Sequence, residues 1–331
     1  MTQKTSHVAV VGTGSAGMRH LRAIRCIEGL SPIAVPRRKE RACELLREGY
    51  AVARDMEEAA RMGAKLCVVA TDTSRHVEDG LVAVECGLDL LVEKPLAREA
   101  REGSRLRERA EKLHRNAFVG CVMRFCESLA TFKKLLDRIG RVHSVRIECQ
   151  SYLPDWRPTG SYRESYSARA DEGGVLRDLI HEIDYAGWIF GWPSSVQARI
   201  RNTGQLGIAA EEIADLMWES STGCVFSMTL DYLSRPPRRR MRAMGELGTL
   251  EWDGIEGSVA LGLYDGRKEL VRSEQSRDQT FVEQLEAFIG AVKGSSDSRL
   301  TTCEEGVKAL SVCDAARRAS ASRKQEAVGY L

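Results

Sequence analysis

The stretch from His7 to Gly17 constrains this chain most. His7 to Val11 is a short, β-branched, apolar run that breaks into Gly12-Thr13-Gly14-Ser15-Ala16-Gly17, after which Met18 to Ile27 has helical spacing. This is GxGxxG set between a strand and a helix. The first glycine permits a tight turn, the second lets backbone approach a pyrophosphate, and the third lets the helix sit close to the strand. The phosphates then meet a helix N-terminus. The pattern predicts a Rossmann dinucleotide-binding domain, with Gly12, Thr13, Gly14, Ser15, Ala16 and Gly17 around the cofactor phosphates.

The next strand, Ile33-Ala34-Val35, predicts where the adenosine ribose lies. NAD-selective folds place an Asp or Glu about 20 residues past the glycines, but this chain continues Pro36-Arg37-Arg38-Lys39. Two guanidinium groups suit bidentate contact with a phosphate. Arg37 and Arg38 therefore predict NADP, with NAD as the alternative if Glu40 serves the ribose.

Strand and helix keep alternating. Lys65 to Ala70 reads as a buried strand emptying into Thr71-Asp72-Thr73-Ser74, which predicts N-cap chemistry for a helix over Arg75 to Cys86. Thr71, at a strand's C-terminal end, is expected to line the nicotinamide side. His76 is a cofactor-side candidate or a packing histidine. Leu90-Leu91-Val92-Glu93-Lys94-Pro95 is an apolar strand that ends in a carboxylate, an ammonium and a proline. Proline disfavours the α region for the residue before it, so Lys94 is expected at the exit of a buried strand, where open α/β sheets keep their ligands. A helix over Arg98 to Leu113 and a strand over Ala117 to Val122 complete the parallel array.

The chain of 331 residues, 43% hydrophobic, is too long for one ordinary core, so two domains are expected, 1–122 and 123–331. Its charges nearly cancel, leaving +2, which argues against nucleic acid or an anionic membrane as main partner. Ten cysteines are scattered without CxxC or metal-ligand spacing, so we expect reduced thiols in a cytoplasmic protein and no metal. The first residues lead straight to a strand, and no apolar run approaches the roughly 18 residues of a membrane helix.

After Arg124-Phe125 the pattern changes to alternating strands, from Val142 to Leu263, which predicts a large, mostly antiparallel sheet. The basic run Arg235 to Arg242 reads as a solvated edge. Gly173-Gly174-Val175-Leu176-Arg177-Asp178-Leu179-Ile180-His181-Glu182-Ile183-Asp184 predicts one helix, with Leu176, Leu179, Ile180 and Ile183 buried and Asp178 and His181 side by side at i and i+3. A carboxylate beside an imidazole suits proton transfer near neutral pH. The segment Tyr152 to Arg169 is the expected substrate loop. Its Asp155, Trp156, Tyr162, Arg163 and Tyr166, with Tyr152, offer rings for C–H faces and polar tips for hydroxyls.

Together the GxGxxG turn, Glu93-Lys94-Pro95, Arg124-Phe125 and the GGxxxDxxHxxD segment resemble the Gfo/Idh/MocA oxidoreductase family over nearly the whole chain. The resemblance implies an α/β fold: an N-terminal Rossmann domain, then a C-terminal α/β domain whose large, mostly antiparallel open sheet often forms an oligomer interface. It implies a catalytic group of Lys94, Asp178 and His181, with Glu93 and Lys94 near the cofactor and Arg124 near the substrate. The commoner family spacing puts three residues between aspartate and histidine; here Leu179 and Ile180 alone intervene, and counting back would put Arg177 in the acidic position. The expected function is an NADP(H)-dependent dehydrogenase or ketoreductase acting on a sugar, amino sugar, nucleotide sugar or cyclitol, as a homodimer or homotetramer. The alternatives are a non-catalytic dinucleotide sensor and an enzyme that uses transient oxidation to cleave a glycoside.

Overall fold

The computed structural model describes residues 6–156 and 161–331. The described chain divides into two compact units, one of 1–125 with 276–307 and one of 126–275 with 308–331. The single boundary expected at 122/123 is thus replaced by an excursion and a return.

In the first unit strands and helices alternate: β1 (Ser6–Val11), α1 (Ser15–Arg25), β2 (Leu30–Val35), α2 (Lys39–Arg47), β3 (Ala51–Val52), α3 (Met56–Arg61), β4 (Ala64–Val69), α4 (His76–Glu85), β5 (Asp89–Glu93), α5 (Ala100–Lys112) and β6 (Ala117–Gly120). Neighbouring strands in the order β6-β5-β4-β1-β2-β3 pair in parallel. Helices on both faces leave no solvated side, which is why Val8–Val11, Cys67–Val69 and Leu90–Val92 are uninterrupted apolar runs. The helix expected over Arg75–Cys86 starts one residue later: a 3₁₀ turn, Thr73–Arg75, comes first, and Arg75 itself is the N-cap.

The second unit begins with α6 (Glu127–Leu135) and the long strand β7 (Val142–Gln150), followed by α7 (Val175–Asp178) and α8 (Ile180–Phe190). Then come β8 (Ser195–Arg201), β9 (Ile213–Glu219), β10 (Val225–Asp231), β11 (Arg238–Gly245), β12 (Gly248–Asp253), β13 (Ser258–Leu263) and β14 (Lys268–Arg272). Strand pairing is antiparallel except between β7 and β10, which run parallel with Gln150 opposite Asp231. One sheet face is apolar, with Phe226, Met228, Leu230, Met241, Leu250 and Trp252 buried. The basic run is not an edge: β11 lies between β12 and β7 in the middle of the sheet. Its arginines read as edge-like because alternate residues project from the open face, while Arg239 projects the other way to meet Glu182, Nε to Oε1 2.8 Å.

The chain then returns to the first unit through α9 (Arg277–Val292) and β15 (Thr301–Thr302), which pairs antiparallel with β6. A capping box starts α9: Ser276 Oγ accepts from the Gln279 N–H and the Gln279 side chain accepts from the Ser276 N–H. The physical reason for the return is apolar. Phe281, Leu285 and Phe288 of α9 join Met18, Leu21 and Ile24 of α1 in one buried cluster. The last helix, α10 (Cys303–Ser322), carries the chain into the second unit, where β16 (Glu326–Ala327) pairs with β8. Among the described residues no helix is long and apolar enough to cross a membrane.

Candidate functional site

The glycine turn has the shape a dinucleotide needs. Gly12 sits at φ +83°, and a Cβ there would come 2.5 Å from the Ala70 carbonyl oxygen, while a Cβ on Gly17 would strike the Gly12 carbonyl. Gly14 is different: a Cβ there would meet nothing within 4 Å. The turn is therefore closed towards β4 and open in front of Gly14, the N-cap of α1, which no side chain caps. Thr13 lies in the turn, and Ser15 and Ala16 open the helix, so their amides form its electropositive end. Thr71 follows β4, and its Oγ1 is buried without a hydrogen-bond partner. An open anion cradle and an orphaned hydroxyl beside it fit a nicotinamide dinucleotide.

Arg37 and Arg38 leave the C-terminal end of β2 exposed, Arg38 as the N-cap of α2. The His76 ring is buried, with Nδ1 2.7 Å from the Pro95 carbonyl oxygen and Nε2 3.0 Å from that of Thr71. Burial holds its pKa below the ordinary value despite those carbonyls. A neutral ring can give its one N–H to only one of these oxygens at a time, and its burial packs it between the β4 and β5 exits.

Lys94 follows β5, half-buried, and the Lys94–Pro95 peptide is cis. Glu93, expected beside the cofactor, is committed elsewhere. Its Oε1 lies 2.7 Å from Nε2 of His20, which is fully buried on α1, and its Oε2 accepts the Lys94 backbone N–H at 3.2 Å. Burial opposes ionisation of Glu93, yet the His20 hydrogen bond and the His20 and Lys94 charges hold its carboxyl below the usual value. His20 also stacks edge-on against Phe281, ring centroids 5.2 Å apart. Arg124, expected near substrate, is fully buried with Nη1 2.9 Å from Glu305 Oε1, while the Glu305 Oε2 accepts from the Thr302 N–H at 3.0 Å. The Arg124 guanidinium thus helps to hold the β15–α10 junction.

In the second unit the segment expected as one helix is two. Leu179, at φ −98° and ψ 29°, breaks it between α7 and α8. The break falls between Asp178 and His181, so the regular i, i+3 geometry does not relate them. Nor is the apolar stripe one-sided, since every residue from Val175 to Asp178 and from Ile180 to Gly187 is buried. Both glycines are required: a Cβ on Gly173 would meet the Tyr166 and Ser167 carbonyls, and one on Gly174, at φ +91°, the Glu211 carboxylate. Asp178 is 3% and His181 8% exposed. Tyr232, fully buried, donates its hydroxyl to Asp178 Oδ2 at 2.6 Å. Burial and the Asp178 charge push the phenol pKa well up, so it stays a donor. Arg177 instead bonds the carbonyls of Ala170 and Gly173 at 3.3 and 3.2 Å, and burial lowers its pKa.

The expected substrate loop is divided. Residues 157–160 lie outside the described residues. On one side, Trp156 donates to Ser151 Oγ at 2.9 Å and meets Tyr232 edge-on at 5.4 Å, while Arg235 covers the Tyr152 ring at 3.3 Å and lies 3.6 Å from Asp155. On the other, Tyr162 and Arg163 both donate to the Leu206 carbonyl, at 3.0 and 3.2 Å. Those two shape a loop. Tyr166 is half-buried in the turn over Gly173.

Sequence reasoning missed Tyr232 and Arg235, as it missed His20. The parallel pairing of β7 with β10 sends residues 151–156 and 232–236 out of the sheet at the same end, and only the pairing reveals this. For His20 a local signal existed: an ionisable residue on the apolar side of α1, three residues past the last glycine. Among the described residues no group of three or more His, Cys, Asp or Glu could hold a metal ion.

Comparison with known proteins agrees with this fold. Residues 6–121 match the oxidoreductase family with an NAD-binding Rossmann fold, and residues 129–251 match the GFO/IDH/MocA C-terminal domain. The myo-inositol dehydrogenase Hyg17 of Streptomyces leeuwenhoekii is 28% identical over 331 residues, 95% of this chain and 97% of that protein. A 2,7-anhydro-N-acetylneuraminate hydratase of Mediterraneibacter gnavus is 28% identical over 289 residues, 83% of this chain and 75% of that protein. Levoglucosan dehydrogenase in complex with NADH and levoglucosan has the same fold at TM-score 0.87 and 18% identity, covering 98% of this chain and 99% of that one. The chain belongs to the Gfo/Idh/MocA family of oxidoreductases.

Proposed function

We propose that this oxidoreductase moves hydride between NADP(H) and a carbinol or ketone carbon of a sugar, amino sugar, nucleotide sugar or cyclitol. The observation that carries the reading is the Asp178 site: a carboxylate and an imidazole, both nearly buried on consecutive short helices, with Tyr232 donating to the carboxylate at 2.6 Å. Buried ionisable groups are costly unless they serve a ligand or a network. The names of the relatives, an inositol dehydrogenase and a levoglucosan dehydrogenase, support polyol substrates.

When bound, the nicotinamide gives or takes the hydride. His181 exchanges the hydroxyl proton, the Lys94 ammonium stabilises charge developing on that oxygen, and Asp178, fixed by Tyr232, orients the substrate or the imidazole. Tyr152, Asp155, Trp156 and Tyr166 supply rings and polar tips for the polyol. Arg37 and Arg38 hold the ribose 2′-phosphate. Mixing the purified protein with NADP, NAD, NADPH or NADH and a panel of sugars, keto-sugars and cyclitols tests the reading by nicotinamide absorbance. No change with any pair would sink it, and tighter binding of NADH than of NADPH would sink the choice of cofactor.

A second reading, transient oxidation without net redox change, is favoured by the hydratase relative. Product analysis separates them: that reaction leaves NADP(H) unchanged while the sugar is converted. We also propose a homodimer or homotetramer through the open sheet face. Val225 and Ser227 are exposed there, beside a depression of about 390 Å³ lined by Arg146, Glu148, Arg240, Arg242, Glu251 and Asp253. Its alternating charges suit a self-complementary, two-fold contact.

A further inference from the structure

A second arginine stands beside Arg37, contributed by a different part of the first unit. Asp79, on α4 and 6% exposed, accepts from Arg75 Nη2 at 2.9 Å and from Arg37 Nη1 at 3.4 Å, both on Oδ1. Its Oδ2 is buried without a hydrogen-bond partner. Arg37 follows β2 and Arg75 ends the 3₁₀ turn after β4. Both strands flank β1 in parallel, so both arginines emerge at the C-terminal edge, on either side of the glycine turn. Their side chains remain 48% and 45% exposed.

The charge count decides what this cluster can take. One carboxylate between two guanidiniums leaves a net positive charge, and exposed Arg38 adds another. A phosphate monoester carries about −1.5 to −2 at neutral pH and offers three acceptor oxygens, so it matches that excess. A ribose diol needs an accepting carboxylate, but the one carboxylate in the cluster has Oδ1 shared by two guanidiniums and Oδ2 buried. Each guanidinium has five N–H donors, and the contacts to Asp79 leave most of them for a ligand.

We propose that Arg75 joins Arg37 and Arg38 in binding the 2′-phosphate of the dinucleotide, and is thereby a cofactor-specificity residue. This rests on the NADP reading above and adds to it a contribution from the α4 side of the sheet. The full-length protein is titrated calorimetrically with NADPH, NADH, adenosine 2′,5′-bisphosphate and adenosine 5′-monophosphate. Arg75→Met should weaken NADPH and the bisphosphate at least tenfold and leave NADH and the monophosphate within twofold. Arg75→Lys, which keeps the charge but loses the fork, should fall between. Arg105→Met, which removes an exposed arginine paired with Glu78, should change neither selectivity. A wild-type protein that prefers NADH overturns the cofactor reading and this proposal with it. A wild-type preference for NADPH that Arg75→Met leaves intact overturns the proposal alone, as does an Arg105→Met effect equal to that of Arg75→Met.

Discussion

Replacing His20 with leucine removes the stronger of two contacts to a carboxylate that the fold has almost closed off from water. His20 is fully buried and the Glu93 side chain 12% exposed, at 2.7 Å from each other. Breaking one side of a buried pair costs about 3–5 kcal/mol because the other charge is stranded. The residual exposure of Glu93 and its contact with the Lys94 N–H place this case near the lower figure. At roughly 2–4 °C per kcal/mol for a unit of this size, the calorimetric transition of the nucleotide-binding unit should fall by on the order of 10 °C at pH 7.5. The sign with pH follows from the direction of the Glu93 shift. Its folded pKa is depressed, so the pair's contribution is present above the unfolded carboxyl value and is lost as pH falls through the folded one. In His20→Leu burial dominates and Glu93 protonates more readily, so the deficit against wild type should narrow between pH 7.5 and 5. Adding Glu93→Leu removes the stranded charge and should recover at least half the loss. A shift under about 3 °C, a deficit that widens on acidification, or a double variant as poor as the two singles summed would refute the reasoning.

Three further outcomes are expected. Lys94→Ala and His181→Ala should each lower turnover by roughly 10² to 10⁴ while NADPH affinity, read by titration, stays within a few-fold; Asp178→Asn should cost more than Arg177→Ala, and the opposite order would move the acidic role off Asp178. Tyr232→Phe withdraws one donor from a buried carboxylate, worth about 1–3 kcal/mol, so turnover should fall roughly tenfold or more with cofactor affinity unchanged, and equal losses in both would make Tyr232 merely a packing residue. Light scattering at micromolar concentration should give a dimer or tetramer mass, and Arg240→Glu with Arg242→Glu, which loses the pairs with Asp253 and Glu251 at 2.9 and 3.0 Å, should lower it; a monomeric wild type would end the assembly proposal.

The first unit was largely legible because its signals are local. Buried parallel strands are continuous apolar runs, and the glycine turn carries its reason in six adjacent residues. What the sequence hid depends on distance along the chain. The contact of Glu93 with His20, 73 residues away on α1, and that of Asp178 with Tyr232, 54 residues on, join residues that no local pattern relates. The basic run reads as an edge because an open face and an edge solvate arginines alike; the pairing of β11 with both β12 and β7 tells them apart. The break at Leu179, at φ −98° and ψ 29°, is one that no helical periodicity encodes.

The return of α9 bears on how the polypeptide is made. When the ribosome has finished residue 125, every parallel strand of the first unit exists, yet the apolar side of α1 still waits for Phe281, Leu285 and Phe288. The second unit, up to Gln275, leaves the ribosome before those side chains do. Domains ordinarily mature from the N-terminus during synthesis, but here the nucleotide-binding half cannot be completed until residues 276–307 emerge, and a nascent chain stalled before α9 exposes a hydrophobic surface for chaperones to hold.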